Sequence, residues 1–369
     1  MARIVILGAG VGGTLVANRL ARARAKLDIT VVSGHADHLY QPGILHVPFG
    51  GGAELLARDE RSLLRPGVKF LVEHAVEVLP GERKVAVESG AHLEYDWLVI
   101  ATGSRLDHDR IPGARESNHH FHCLKGAHRL AARLAEFRGG RIVVGACRLP
   151  YKCPPSPLEF VFLLDAWLRK RGLREATRMT FVYPSAEVYS LPVVARWAES
   201  ALLDRGIGIV TGFEPDRIDT EGNRILAGER SVECDLAILV PPHVGAPFLA
   251  SSGLTDADGW VPADPATLKV RERIFALGDA ASLPRPKSGS AAAFQSKIVA
   301  ENILAEVEGR AAASRYDGHV SCFLETGNCR AAVVDFTYAR PPGIPSPSLL
   351  GFWKKRLFKK LYFPIVRMA

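Results

Sequence analysis

The chain has 369 residues, 47% of them hydrophobic and 23% charged, with 47 basic against 39 acidic side chains for a formal net charge of +8. That length leaves room for two or three domains, and the composition excludes a largely disordered chain. Nothing resembles a nucleic-acid module, and the densest basic cluster lies at the C-terminus, where it suits an acidic partner or anionic lipid rather than nucleic acid.

The first predicted unit is a βαβ. Arg3 to Leu7 reads as a buried strand, Gly8-Ala9-Gly10-Val11-Gly12-Gly13 follows directly, Thr14 to Lys26 has apolar residues at helical spacing, and Asp28 to Ser33 reads as a second strand. Glycines between strand and helix within about 30 residues make a dinucleotide turn. Gly8 permits the tight turn, Gly10 lets a pyrophosphate approach, and Gly13 lets helix and strand pack closely, with the helix N-terminus facing the phosphates. Ser33 stands where an acidic residue normally grips the ribose hydroxyls, which leaves a weaker anchor. A strand beginning at Arg3 predicts no secretory leader. No run of about 18 apolar residues occurs, so no bilayer-spanning helix is expected.

Tyr95 to Ser104 (YDWLVIATGS) is a hydrophobic strand ending in Ala101-Thr102-Gly103. From about residue 114 the αβ alternation begins again: a helix over Gly126 to Phe137, the strand Gly140 to Gly145, a helix from about Leu158, and the strand Met179 to Tyr183. The second glycine fingerprint is missing. Gly145 is followed by Ala146-Cys147-Arg148-Leu149-Pro150 and then by Cys153-Pro154-Pro155, and the next strand ends at Tyr183-Pro184 without an acid. Together the two absences argue against NAD(P)H as a substrate.

Six cysteines in a chain of this size do not form a disulfide scaffold, and their spacing gives no zinc signature, so no metal ligand is assigned. Cys147 ends a core strand and Cys234 precedes another, positions that suit small buried hydrophobes. Cys153, between Lys152 and two prolines, is unlike a core site. Cys322 lies in the alternating stretch Val320 to Glu325, with Cys329 shortly after it. Cys123 closes the run His119-His120-Phe121-His122-Cys123, for which an accessory thiol role and a structural one both stay open. Glu159 fits either a proton-moving acid or a helix N-terminal carboxylate favoured by the dipole.

Arg273 to Ala280 (RIFALGDA) is a strand ending in Gly278-Asp279, and a helical stretch runs from Ala291 to Leu304. Lys287 lies in the loop between them, placed either beside a bound cofactor or in solvent. After Pro341, Pro342, Pro345 and Pro347 the character changes: Leu350, Trp353, Leu357, Phe358 and Leu361 recur at helical spacing, with Lys355, Arg356, Lys359 and Lys360 mostly on the other side. This reads as an interfacial helix on anionic lipid. The alternative is a terminal helix packed on its own domain or on a partner subunit.

YDWLVIATGS and RIFALGDA resemble segments of the glutathione-reductase-like flavoproteins. That resemblance implies FAD at the first glycine turn, Ala101-Thr102-Gly103 at the crossing between two nucleotide domains, and Asp279 on the flavin ribityl chain. PYKCPPSPLE, LAILVPPHVGAP, LGDAASLPRPKSGSAA and YDGHVSCFLETGNCRAAVVDFTY are similar to the sulfide:quinone oxidoreductases, and the first also to the flavin subunit of flavocytochrome c sulfide dehydrogenase. This implies that Cys153 bears a persulfide, that Cys322 lies against the flavin, and that Cys123 and Glu159 match a further family thiol and acid. Lys287 then stabilises the reduced ring. A shift of alignment would put Cys329 in the place of Cys322.

The expected fold is α/β with two Rossmann-like domains and a C-terminal membrane-interface segment. Residues 1–113 and 251–310 are expected to form the FAD domain, 114–250 the second domain with its degenerate NAD site, and 311–369 the interface. The expected activity is FAD-dependent oxidation of sulfide through a cysteine pair into membrane quinone, at the cytoplasmic face of the membrane, with homo-oligomerisation left open. The rivals are a type II NADH:quinone oxidoreductase, a flavocytochrome-type sulfide dehydrogenase and a non-catalytic flavin-bearing sensor or sulfur carrier.

Overall fold

A computed structural model describes residues 1–369. The chain opens with strand β1 (Ala2–Leu7), helix α1 (Val11–Ala21), β2 (Leu27–Ser33), the edge strand β3 (Lys69–Val72) and β4 (Trp97–Ile100). A second sheet follows, built from β5 (Asn118–His119), α2 (Leu124–Glu136), β6 (Gly140–Ala146), α3 (Ser156–Lys170), β7 (Thr177–Val182), α4 (Pro192–Leu203), β8 (Gly208–Val210) and β9 (Leu236–Val240). The chain then returns to the first sheet with β10 (Lys269–Arg271) and β11 (Ile274–Ala276), followed by helix α5 (Gly289–Val307).

The first sheet has the order β10-β11-β4-β1-β2-β3, with β10 antiparallel at one edge and the other pairs parallel. The second has the order β5-β9-β6-β7-β8 and is parallel throughout. Parallel sheets need cover on both faces, and the sequence supplies it through apolar residues at successive strand positions. Side chains alternate across a strand. Ile4 and Ile6 therefore join Val16 of α1 and Val299 and Ile303 of α5 in one core, while Val5 and Leu7 face Val78, Val85 and Leu249 in another. In β6 the same alternation sends Ile142 and Val144 into the largest core and Val143 away from it. Cys147 continues the second series beside Val143 and Cys234, so these two thiols are packing residues, 0% and 6% exposed. The α/β architecture with two Rossmann-like sheets is the one the sequence predicts.

A hairpin, β12 (Val320–Glu325) and β13 (Ala331–Phe336), follows α5 and sets Cys322 opposite Val334. The last element is helix α6 (Leu349–Met368), whose first turn is capped by Ser348 Oγ accepting from the Gly351 amide. One face of α6 packs inward through Phe352, Tyr362 and Val366. Asn18 of α1 donates to the Val366 carbonyl at 2.8 Å, and Tyr362 Oη lies 2.8 Å from His38, whose other ring nitrogen is 2.8 Å from Glu60. Leu350, Trp353, Leu357, Phe358 and Leu361, the residues expected on one apolar face, are all exposed. One expectation fails: Lys355, counted with the outer basic residues, is buried. Helical spacing places it on the inward face with Phe352 and Tyr362, and the two carboxylates described below make its burial tolerable. No helix of the chain is long and apolar enough to cross a membrane.

Candidate functional site

The glycine turn joins β1 to α1 at the C-terminal edge of the first sheet. Gly8 has φ +105°, and a Cβ there would lie 2.3 Å from the Ala101 carbonyl oxygen. A Cβ on Gly13 would lie 1.9 Å from the Gly8 carbonyl, so neither position admits a side chain. Gly10 and Gly103 differ: an added Cβ meets nothing within 4 Å at either, which leaves the backbone open to a ligand. Beside Gly103, Thr102 Oγ1 and Ser104 Oγ are buried without a partner in the protein. Buried hydroxyls of this kind call for one. Ser33 closes β2 and accepts only from the His35 amide.

Gly278 and Asp279 follow β11, with the Gly278 amide donating to Gln295 of α5 at 2.7 Å. Burial raises the Asp279 carboxyl, against the opposing pull of Lys152 and Lys287. Lys287 is buried rather than solvated. Its ammonium donates to the Asp279 and Ala281 carbonyls at 2.8 and 3.0 Å and lies 3.6 Å above the Trp260 ring. Open glycines, unpartnered hydroxyls and the Asp279 carboxylate at the strand ends fit FAD, for which the glycine turn would hold the pyrophosphate and Asp279 the polyol chain.

At the second sheet the corresponding crevice is filled. The ends of β6 and β7 lead to Tyr151 and Tyr183, 2% and 1% exposed, whose hydroxyls lie 3.3 Å apart. A Cβ on Gly145, the one glycine kept there, would strike the Val182 carbonyl at 2.0 Å, so this glycine serves strand packing.

Cys153 and Cys322 meet on one short segment, Lys287 to Ser290, at the N-terminus of α5. The Cys153 amide donates to the Lys287 carbonyl at 2.7 Å. The Ser321 amide donates to Ser290 Oγ at 3.2 Å, and that hydroxyl lies 4.0 Å from Cys322 Sγ. Cys153 has φ +57°, a left-handed conformation rare for a residue with a side chain and typical of functional loops. All six cysteines are free thiols. Burial pushes the Cys153 thiol up, with Cys322 the next contributor. Burial also pushes Cys322 up, to about 11, against the pull of the Ser290 and Ser288 hydroxyls. Cys329 is exposed in the turn beyond β12, away from this pocket. Cys123 caps α2, its sulfur accepting from the Gly126 amide at 3.3 Å.

Glu159, in the first turn of α3, ion-pairs with Lys355 of α6, whose ammonium also lies 3.0 Å from Glu325 at the end of β12. His46 is 3.5 Å from the same Glu325 oxygen. Burial raises the Glu159 carboxyl despite Lys355. For Lys355 the balance reverses: burial works against the charge, but Glu159 and Glu325 outweigh it and hold the ammonium above the usual lysine range. Burial, then Lys355, lowers His46 to about 3, so its imidazole is neutral. Ligand atoms of His46, Glu159 and Glu325 lie within 4.8 Å of one another, a spacing that would suit a metal ion, but the Lys355 ammonium already supplies the cation. Glu325, Lys355 and His46 escape sequence reasoning because three distant segments bring them together.

Residues 2–148 match the family model described as pyridine nucleotide-disulphide oxidoreductase. The mitochondrial sulfide:quinone oxidoreductase of Mus musculus is 27% identical over 361 residues, which cover 92% of this chain and 79% of the mouse protein. The sulfide-quinone reductase of Aquifex aeolicus is 27% identical over 82% of this chain and 76% of its own length. The X-ray structure of the sulfide:quinone oxidoreductase from the same bacterium superposes with a TM-score of 0.91, covering 100% of this chain and 92% of that one at 23% identity. Fold and cofactor turn are those of an FAD-binding oxidoreductase, and residues 2–148 match the pyridine nucleotide-disulphide model. Over most of its length the chain is similar to the sulfide:quinone oxidoreductases.

Proposed function

We propose that the protein oxidises sulfide to sulfane sulfur and passes the electrons to a membrane quinone. The observation that carries this reading is the meeting of Cys153 and Cys322 on the Lys287–Ser290 segment beside the cofactor residues. The pair alternates between dithiol and disulfide. In the disulfide form, HS⁻ attacks the Cys153 sulfur, an S–S bond forms there as a persulfide, the Cys153–Cys322 bond breaks, and Cys322 leaves as the thiolate. Bound FAD supplies a two-electron acceptor. Ser290 holds Cys322, and the strained Cys153 loop presents its sulfur.

Quinone reduction also needs two protons. Glu159, Glu325 and Lys355 carry a formal charge of −1 together beside the neutral His46, so the cluster holds one further proton readily, with Glu159 the group raised toward it. It acts electrostatically on both thiols from the side where α6 packs.

The exposed row Leu350, Trp353, Leu357, Leu361, Ile365 and Met368, flanked by Lys354, Arg356 and Lys360, serves as the membrane-docking face, through which a quinone reaches the cluster. The protein is expected to float with vesicles containing phosphatidylglycerol and to lose this on Leu357→Ser combined with Leu361→Ser. Flotation unchanged in that variant would remove α6 from the role.

Two rival readings meet the same test. Steady turnover of a short-chain quinone with sulfide is expected. A single stoichiometric reduction of the flavin without turnover would favour a sensor or sulfur carrier. The Tyr151–Tyr183 filling of the second crevice favours sulfide over NADH as the electron donor.

A further inference from the structure

The turn that carries Cys153 is held from the second sheet by a chain of hydrogen bonds that the chemistry above does not use. The Ser156 amide donates to the Cys153 carbonyl at 2.9 Å and closes the turn. Ser156 Oγ lies 3.0 Å from His122 Nε2, His122 Nδ1 lies 3.3 Å from His243 Nε2, and His243 Nδ1 lies 2.8 Å from the Pro241 carbonyl. All three side chains are buried. Burial lowers both imidazoles, His243 to about 3, so each ring is neutral and carries one N–H. A carbonyl can only accept, so His243 donates to Pro241 and its Nε2 accepts from His122. His122 Nε2 then accepts in its turn, and Ser156 is the donor. The chain has one direction, from the Cys153 turn to the end of β9.

That turn needs holding. Cys153 has φ +57°, a conformation in which its Cβ is crowded by the backbone and which an unconstrained chain leaves. A second chain of bonds reaches the same turn. Tyr151 Oη donates to the Pro154 carbonyl at 2.9 Å, which leaves Tyr183 as the donor in the 3.3 Å contact between the two hydroxyls. Tyr183 follows β7 and Pro241 follows β9. The strand ends that would face a second dinucleotide thus anchor the Cys153 turn instead. Of the two chains, only the histidine chain grips a side chain of the turn itself, that of Ser156.

We propose that Ser156 is a positioning residue for Cys153: its bond to His122, continued through His243 to the Pro241 carbonyl, fixes the turn in the conformation from which the Cys153 sulfur reaches Cys322. The use of that position rests on the exchange reading above; the grip on the turn does not. Without the grip the turn samples other conformations, the disulfide closes less readily, and Cys153 opens to reagents in solvent.

The test uses FAD-loaded protein, unaltered and with Ser156→Ala, His122→Leu or His122→Gln. Each is equilibrated with reduced and oxidised glutathione, which exchange two thiols for the protein disulfide, and the Cys153–Cys322 disulfide is quantified by peptide mass spectrometry. In Ser156→Ala and His122→Leu the equilibrium constant for forming it is expected to fall at least about tenfold, a reduction potential about 30 mV higher. The double variant should fall no further, because both changes remove the same bond. His122→Gln, whose side-chain oxygen can take the place of Nε2, is expected to recover most of the loss. In the reduced proteins, iodoacetamide should alkylate Cys153 at least about tenfold faster in the first two variants than in the unaltered protein, with exposed Cys329 unchanged as the internal control. Unchanged Cys153 alkylation or an unchanged disulfide equilibrium in both variants overturns the proposal, as does an effect in Ser156→Ala that His122→Leu lacks. Loss of FAD in both overturns it too, by making the chain a structural prop of the cofactor domain. Faster Cys153 alkylation in both variants of a protein whose Cys153 and Cys322 never pair upholds the grip on the turn and overturns the exchange reading.

Discussion

Replacing Cys153 or Cys322 with serine is expected to lower sulfide-driven quinone reduction by on the order of 10³-fold or more, with FAD still bound. The two thiols share one anchoring segment, and neither can form the exchangeable bond alone. Groups that act as a unit are non-additive, so the double variant should be little slower than either single one. Cys147→Ser and Cys234→Ser leave the rate intact and cost about 1–3 kcal/mol, because each buries a hydroxyl in an apolar cluster. Cys329→Ser, at an exposed turn, leaves both rate and stability intact. Steady-state rates with flavin content as the control decide this. An undiminished rate in Cys153→Ser would overturn the exchange mechanism, and a Cys329→Ser defect with Cys322→Ser active would move the partner thiol.

Lys355→Met is expected to destabilise the fold by about 3–5 kcal/mol at pH 8 and by distinctly less at pH 5. The substitution leaves Glu159 and Glu325 buried side by side without their cation. One of them then takes up a proton, so above the unfolded carboxylate pKa of about 4.3 the folded variant binds more protons than the unfolded chain. Stability falls with rising pH wherever the folded state binds the extra proton. In the unaltered protein the Lys355 contribution has the other pattern. Its pKa is raised, so that contribution is fully present below about 10.5 and is lost only as pH rises through the higher folded value. Thermal unfolding at pH 5 and pH 8 separates the cases. Equal deficits at both pH values would show that the two carboxylates do not depend on Lys355 for their charge.

The sheets were legible because both signals on which they depend are local. Apolar runs such as Arg3 to Leu7 and Gly140 to Gly145 give the strands, and the glycines after the first fix a turn that no Cβ fits. Cys147 and Cys234 were legible as packing residues because they continue or precede such runs. Lys355 was not, since helical spacing alone cannot say that two carboxylates from α3 and β12 meet its inward face. Lys287 was likewise ambiguous in a proline-rich loop, and its burial comes from the Trp260 ring and two carbonyls contributed by other positions. The histidine run at 119–122 had no assigned role in sequence. His122 finds its partners in His243 and Ser156, distant in the chain, and these fix its protonation.

Anaerobic titration of the FAD-loaded protein with sulfide and, separately, with NADH tests the central claim most directly. Sulfide should bleach the flavin absorbance rapidly and in stoichiometric amount, while NADH should change it little, because Tyr151 and Tyr183 occupy the second crevice. Rapid bleaching by NADH, with sulfide slow or without effect, would contradict the account and assign the protein to the NADH:quinone oxidoreductases.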